Sequence, residues 1–340
     1  MNLIKRTPVI FFLLATFWSS AQNTTPVSIA FEGDTRNVIT STKGGVALVG
    51  GGGYVNGAFK WMIERSGGGD VVVITASANT ALNKAIFSLG GVNSVQTLNI
   101  TSKVQADHDT IAAIIRNAEM LFIAGGDQSN YMNFWRGTKT QAAINYLLNQ
   151  KKVPVGGTSA GCAILSGLYY SGESGSMVSD PALMDPFHND ITLYNNDLLH
   201  APFLKSVITD QHYLARKREG RHVTFLARII NDWKIFPKGI APDERTAVCI
   251  DQKGNAKVFG ESKAYFIISD KKKSPEKIFK QQPLEWVANK KALKVYEIQG
   301  SEVGAGSFSV KSFKPRKAKG GKWYWWWASN GKLYKETDTK

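Results

Sequence analysis

Residues 153 to 164 read VPVGGTSAGCAI. A short apolar strand signal runs into two glycines, a serine among small residues, another glycine and then helix formers. Gly157-Thr158-Ser159-Ala160-Gly161 fits the pattern G-x-S-x-G, in which small neighbours permit a strained strand-to-helix turn that lifts the hydroxyl clear of the backbone. The helix that follows aims its first unpaired N–H groups at whatever sits beside that hydroxyl. The competing reading of the pentapeptide alone is a tight glycine-rich turn with no chemistry. The surrounding chain has to decide between them.

Upstream, apolar runs alternate with amphipathic stretches. Strand signals at 46–49, 71–74, 95–100 and 120–124 are separated by helix signals at 58–65, 81–89 and 110–117, and a further helix at 141–150 leads back to Val153. Strands that read as continuous apolar runs between helices predict an α/β fold, with a mainly parallel sheet covered by helices on both faces. Functional groups in such sheets gather beyond the carboxyl ends of the strands. Two glycine-rich strand ends therefore matter, Gly125-Gly126-Asp127-Gln128 and the turn at Ser159. The run Gly50-Gly51-Gly52-Gly53 is no dinucleotide fingerprint, because it lacks the G-x-G-x-x-G spacing and no acidic residue closes the next strand. Stretches at 264–268 and 293–298 predict C-terminal antiparallel strands that close the domain.

The first 21 residues carry Lys5 and Arg6, an apolar run from Val9 to Trp18, and Ser19-Ser20-Ala21. That is the pattern of a cleaved export signal, with an apolar core too short to span a bilayer. The expected organisation is a signal at 1–21, a catalytic domain at 22–313 and a basic, Trp-rich tail at 314–340, with a periplasmic or extracellular destination and no membrane span. Cys162 and Cys249 read as two separate buried thiols. The formal net charge is +15, with much of the excess late in the chain. No zinc-finger spacing, RNA-binding signature or Walker loop accompanies it, so nucleic acid is not an expected partner. In the tail, Trp323, Trp325, Trp326 and Trp327 stand among lysines, which suits stacking on a polymer or a short hairpin turning at Asn330-Gly331.

A serine nucleophile needs a base, a group to orient that base, and donors for the oxyanion. Of five histidines, His108 lies at a polar helix start, His188 in a Pro-rich loop, His200 near Pro202 and His222 in an Arg-rich helix. His212 follows an apolar strand-like run and so stands at a strand end, as Ser159 does.

GGDQ at 125–128, GTSAGC at 157–162, DQHYLARKREGR at 210–221 and GIAPDERTAV at 239–248 occur in one chain and in one order. Together they resemble the serine peptidases of the cyanophycinase and peptidase E group, with more of the cyanophycinase pattern, over roughly residues 45 to 260. The resemblance implies Ser159 as nucleophile, His212 as general base, and the N–H groups of Gly126 and Ala160 as oxyanion donors. It implies substrate contacts from Asp127, Gln128 and Gln211, and from Arg216, Arg218 and Arg221, whose guanidinium forks suit an aspartyl carboxylate. For the acidic member it points after the elbow helix, to Glu173, with Asp180 and Asp185 as rivals. Asp210 stands too close to His212 in sequence to face it. Cys162, Tyr213 and Pro242 depart from the family pattern.

The implied activity is an exported serine exopeptidase acting on an aspartate-rich peptide or polyamide without metal or organic cofactor, with a homodimer as the candidate assembly. The first substrate is cyanophycin, multi-L-arginyl-poly-L-aspartate, cut to dipeptides through an acyl-enzyme. The alternatives are a dipeptidase for Asp-X peptides and a silent protein that binds an acidic polymer. If the chain is helical from Tyr213, Arg218 and Arg221 share a face that Arg216 does not.

Overall fold

The computed structural model describes residues 27–339; the expected export signal lies outside them. Five strands form the parallel centre of a nine-stranded sheet, in the order Ser94–Asn99, Asp70–Thr75, Met120–Ile123, Pro154–Thr158 and Gly45–Val49. Their apolar runs are buried end to end, with Val73, Ile74, Leu121 and Phe122 fully shielded, as a sheet covered on both faces requires. Alternate side chains go to opposite layers. Ala47, Val49, Val71 and Val73 meet the helices Asn56–Ser66 and Ala81–Phe87. Val46, Leu48, Val72 and Ile74 join the core of the helices Asp109–Asn117 and Lys139–Tyr146. Antiparallel strands extend this sheet, Ser28–Gly33 at one edge and Thr246–Asp251, Asn255–Gly260 and Ala305–Ser309 at the other.

A second sheet, of eight strands, stands beyond the first. Val207–Thr209 pairs parallel with Leu168–Tyr170 and with Lys238–Pro242, and the remaining pairs of this sheet are antiparallel. Its Ile240, Phe266, Tyr296 and Ile298 share a core with the first sheet, while Ile208, Ala241, Ile267 and Val295 pack in a separate core with the helix Glu219–Trp233. The chain crosses between sheets in three residues: Lys238–Pro242 ends in the second, and Thr246–Asp251 begins in the first. The Trp-rich segment is the edge of the second sheet. Lys322–Ser329 pairs with Leu293–Gln299 on one side and Lys332–Thr337 on the other, turning at Asn330 and Gly331, both with positive φ. Trp326 is buried and Trp323, Trp325 and Trp327 are partly covered.

His222 sits wholly buried on the helix Glu219–Trp233, with Nε2 3.3 Å from the Ile208 carbonyl oxygen and no partner for Nδ1 among the described residues. Burial, aided by the Arg221 charge, pushes its pKa down from 6.5 to about 4 although Asp210 acts the other way. In the unfolded chain the same imidazole protonates near 6.5. Between those values the unfolded state binds more protons, so stability falls as pH falls, by ~1.4 kcal/mol per pH unit from this group alone. His222→Gln should flatten the pH dependence of the denaturant midpoint across this window, whatever it does to stability above it. An unchanged slope would assign the acid sensitivity to other groups.

Candidate active site

Ser159 lies between the strand Pro154–Thr158 and the single helical turn Ala160–Ala163, with φ 51° and ψ −113°. A residue with a Cβ in that region costs about 1–3 kcal/mol and persists only where its surroundings fix it. Its N–H donates to the Val49 carbonyl at 3.0 Å, and its own carbonyl accepts from Ala163 N–H at 3.0 Å. The turn closes so tightly that a Cβ on Gly157 would lie 2.5 Å from the Gly161 carbonyl. Small residues at those two positions are a steric condition of the turn. Cys162 faces the interior, where burial raises its thiol far above the ordinary range, and Cys249 is buried likewise. Neither is placed to act as a nucleophile.

His212 follows the strand Val207–Thr209 of the second sheet. Its Nε2 is 2.7 Å from Ser159 Oγ, and its Nδ1 is 2.7 Å from Glu244 Oε1. The carboxylate that pairs with His212 is thus Glu244, not Glu173. Glu173 is exposed in the loop after Leu168–Tyr170, where its carboxylate accepts from the Tyr194 hydroxyl at 2.9 Å. Asp185 Oδ1 is committed to the N–H groups of Phe187 and Gln281, and Asp180 is exposed in the first turn of the helix Ser179–Met184. Glu244 stands at the corner where the chain crosses from one sheet to the other. Its signal lay within GIAPDERTAV at 239–248, in which no local pattern distinguishes one carboxylate from another.

The glycine run at 50–53 has a steric purpose. A Cβ on Gly51 would collide with the His212 ring, and one on Gly52 would lie 2.6 Å from the Glu244 carboxyl carbon. Burial lowers the His212 pKa below 6.5; the hydrogen bond that Nδ1–H donates to Glu244 opposes this, and the charges of Arg216 and Arg218 reinforce the lowering. The imidazole is therefore held neutral at neutral pH, the form that accepts a proton.

A cleft of about 340 Å³ opens beside Ser159, and its walls include Gly126, Asp127, Gln128, Gln211 and the three arginines. Gly126 lies in the turn after Met120–Ile123; a Cβ on its neighbour Gly125 would sit 3.4 Å from Ser159 Cβ. Neither Gly126 N–H nor Ala160 N–H donates to another described group, so both remain available beside the hydroxyl. Asp127 Oδ1 caps the helix Gln128–Trp135 by accepting from Ser129 N–H at 2.9 Å and its hydroxyl at 2.7 Å.

The arginines differ because the segment after His212 is a series of turns, and the helix starts only at Glu219. Arg221 is buried and forked onto Asp210, with Nη2–Oδ1 2.5 Å and Nε–Oδ2 2.8 Å, and gives Nη1 to the Met177 carbonyl. Burial is the largest single influence and would raise the Asp210 pKa, but the charge and hydrogen bonds of Arg221, with the charges of Arg218 and His222, together hold the group below the ordinary carboxylate range. Arg218 is buried too; its Nη1 donates to the Gln211 carbonyl at 3.0 Å, while Nε has no partner among the described residues. Burial and the neighbouring Arg221 charge pull its pKa down to about 10. Arg216 is half exposed, 3.9 Å from Glu244. No group of three His, Cys, Asp or Glu side chains is placed to hold a metal ion among the described residues.

Among known proteins, cyanophycinase from Geminocystis herdmanii is 24% identical over 179 residues, 52% of this chain and 59% of that one. Cyanophycinase from Synechococcus elongatus is 25% identical over 206 residues, 58% of each chain. The chain thus spans under two thirds of these relatives. A solved structure of a peptidase from an acI-B1 actinobacterium superposes with a TM-score of 0.50 at 17% identity, covering 72% of this chain and 94% of that one, a likeness of fold. Residues 73–258, more than half of the chain, match peptidase family S51, and the chain belongs to that family.

Proposed function

We propose that this protein is an exported serine exopeptidase that hydrolyses a backbone bond at an aspartyl residue through an acyl-enzyme. The observation that carries the reading is the relay Ser159–His212–Glu244, with both contacts at 2.7 Å, beside two unspent amides. His212 Nε2 takes the Ser159 proton as Oγ attacks the carbonyl carbon, and Glu244 fixes the tautomer and steadies the imidazolium. The oxyanion lies against the N–H groups of Gly126 and Ala160. The imidazolium then protonates the leaving amine, and water, activated by the same base, releases the acyl group. Arg218, which lines the cleft and spends only Nη1 within the protein, reads the aspartyl carboxylate, while Arg221 is already spent on Asp210. Export rests on Lys5, Arg6, the apolar run and Ser19-Ser20-Ala21.

Cyanophycin is the substrate the relatives' name suggests. One observation favours Asp-X dipeptides. Three arginines line the cleft against one acid, Asp127, whose Oδ1 caps its helix while Oδ2 stays uncommitted, so an arginine-bearing side chain would meet more positive charge than negative.

Assay of the purified protein on cyanophycin and on Asp-X dipeptides tests the reading directly. Ser159→Ala should lower turnover by ~10³-fold or more with the melting temperature nearly unchanged; persistent hydrolysis would remove the serine mechanism. The acid limb of kcat/KM should fall below pH 6.5, because the free enzyme's base is depressed by burial. Glu244→Gln should lower the rate by ~10²–10⁴-fold and move that limb to lower pH, since the group that favours imidazolium is gone. Arg216→Gln should move it upward, because a repelling charge is removed. Movement in the same direction for both variants would contradict the assignment. Arg218→Lys should cost Asp substrates ~10-fold or more in kcat/KM and Asn substrates far less, since the charge stays and the fork is lost. Equal losses would place the carboxylate elsewhere.

A further inference from the structure

A second cleft, of about 200 Å³, also reaches Ser159 and shares no other lining residue with the first. Its lining includes the glycine run 51–53 and Tyr54, together with Asn79 just before the helix Ala81–Phe87 and Ala81 and Leu82 at its start. Phe59 and Phe122 line it from the core, ring centroids 5.0 Å apart, and Tyr54 leans on Phe59 at 6.4 Å while remaining half exposed. None of its lining residues carries a charge, whereas the first cleft holds Asp127, Arg216, Arg218 and Arg221. The nucleophile thus stands between a charged space and an uncharged, partly aromatic one.

Proton transfer says which part of a substrate belongs in each. The leaving amine must come within hydrogen-bond reach of the nitrogen that received the serine proton. Gly51, which lines the second cleft, lies against the Cε1–Nε2 edge of the His212 ring; a Cβ there would be 2.6 Å from Nε2, nearer than to Nδ1 at 3.2 Å, with Cε1 the closest atom. The first cleft holds the arginine suited to the acyl side.

We infer that the second cleft receives the residue on the leaving side of the scissile bond and selects an uncharged apolar side chain, with Tyr54 as its specificity-determining contact. This rests on the serine-peptidase reading and separates its two substrates. A charged side chain in this cleft loses hydration and gains no partner, so a polymer charged at every residue fits poorly. A short peptide pairing aspartate with an apolar residue fits both clefts.

The test compares kcat/KM for Asp-Leu, Asp-Phe, Asp-Ala, Asp-Lys and Asp-Glu. Wild-type protein should prefer the first two over the last two by tenfold or more, and Tyr54→Ala should narrow the gap between Asp-Phe and Asp-Ala by fivefold or more, with Tyr54→Phe restoring it. Ala81→Asp gives an independent arm: it places a carboxylate at the rim, at the first residue of a helix where acid is tolerated, and should raise Asp-Lys relative to Asp-Leu by tenfold. Wild-type ratios in Tyr54→Ala and Ala81→Asp, with hydrolysis still abolished by Ser159→Ala, would overturn the leaving-side assignment and leave the serine mechanism standing. A change in the preference for Asp over Asn at the acyl position would overturn it too, by showing that the clefts are exchanged. Hydrolysis that survives Ser159→Ala would sink both readings together.

Discussion

One imidazole, carried by one sheet, has to meet a hydroxyl carried by the other and a carboxylate from the corner between them. Ser159 comes from the end of a strand in the first sheet, His212 from the end of a strand in the second, and Glu244 from the corner that joins them. The site depends on locking these three pieces of chain together, and backbone hydrogen bonds around the glycine run do it. His212 N–H donates to the Gly50 carbonyl at 2.9 Å, Gly50 N–H to Thr246 at 2.9 Å, and Arg245 N–H to Gly51 at 2.8 Å. Asp243, one residue before Glu244, accepts the N–H groups of Leu214 and Ala215, so the corner also grips the turn after His212. A side chain on Gly51 or Gly52 would break the fit by occupying the space of the imidazole or the carboxylate.

The lock is strained, and the strain is local. Ser159, His212 and Arg245 all carry positive φ, near 50°, at about 1–3 kcal/mol each. The buried strands that flank them offset this, because such sheets cannot follow a relaxing turn without exposing apolar side chains. A second fastening lies beneath His212. Asp210 takes the Arg221 fork and also the N–H of Gln211 at 2.8 Å. Removing either charge would leave the other buried and unpaired, at ~3–5 kcal/mol. Arg221 therefore reads as a structural member of the site, and the segment from 210 to 218 follows it into place.

What the sequence made legible follows from how local each signal was. The strands at 71–74 and 120–124 could be read because burial on both faces leaves an unbroken apolar run. Ser159 could be read because its turn demands small residues at fixed spacing, and His212 because it ends another apolar run. Glu244 escaped because its pairing with His212 is made across the junction of two sheets, and nothing near the elbow records that closure; proximity in the chain favoured Glu173. The second sheet was visible only as scattered strands for the same reason. The separate roles of the three arginines could not be read from helical phase. Pairing and burial decide their roles, and the turns between Tyr213 and Glu219 erase the phase on which a shared face depended.

The same arginines set binding and proton transfer together. Positive charge in the cleft attracts a carboxylate and also opposes protonation of His212, so a cleft made more basic would recruit acidic substrate while weakening its base. Two carboxylates hold the balance. Asp210 neutralises Arg221 and leaves Arg218 as the buried cation with unspent hydrogen-bonding capacity, and Glu244 restores part of the basicity that burial and charge remove from His212. On the proposed reading, a docked substrate's own carboxylate would add a third negative charge near the imidazole and raise the base at the moment it must accept a proton. A neutral substrate that filled the same space would lack that effect. Under that proposal, specificity for acid on the acyl side would follow from catalysis as well as from binding, and the uncharged second cleft would leave this electrostatic balance undisturbed by whatever departs.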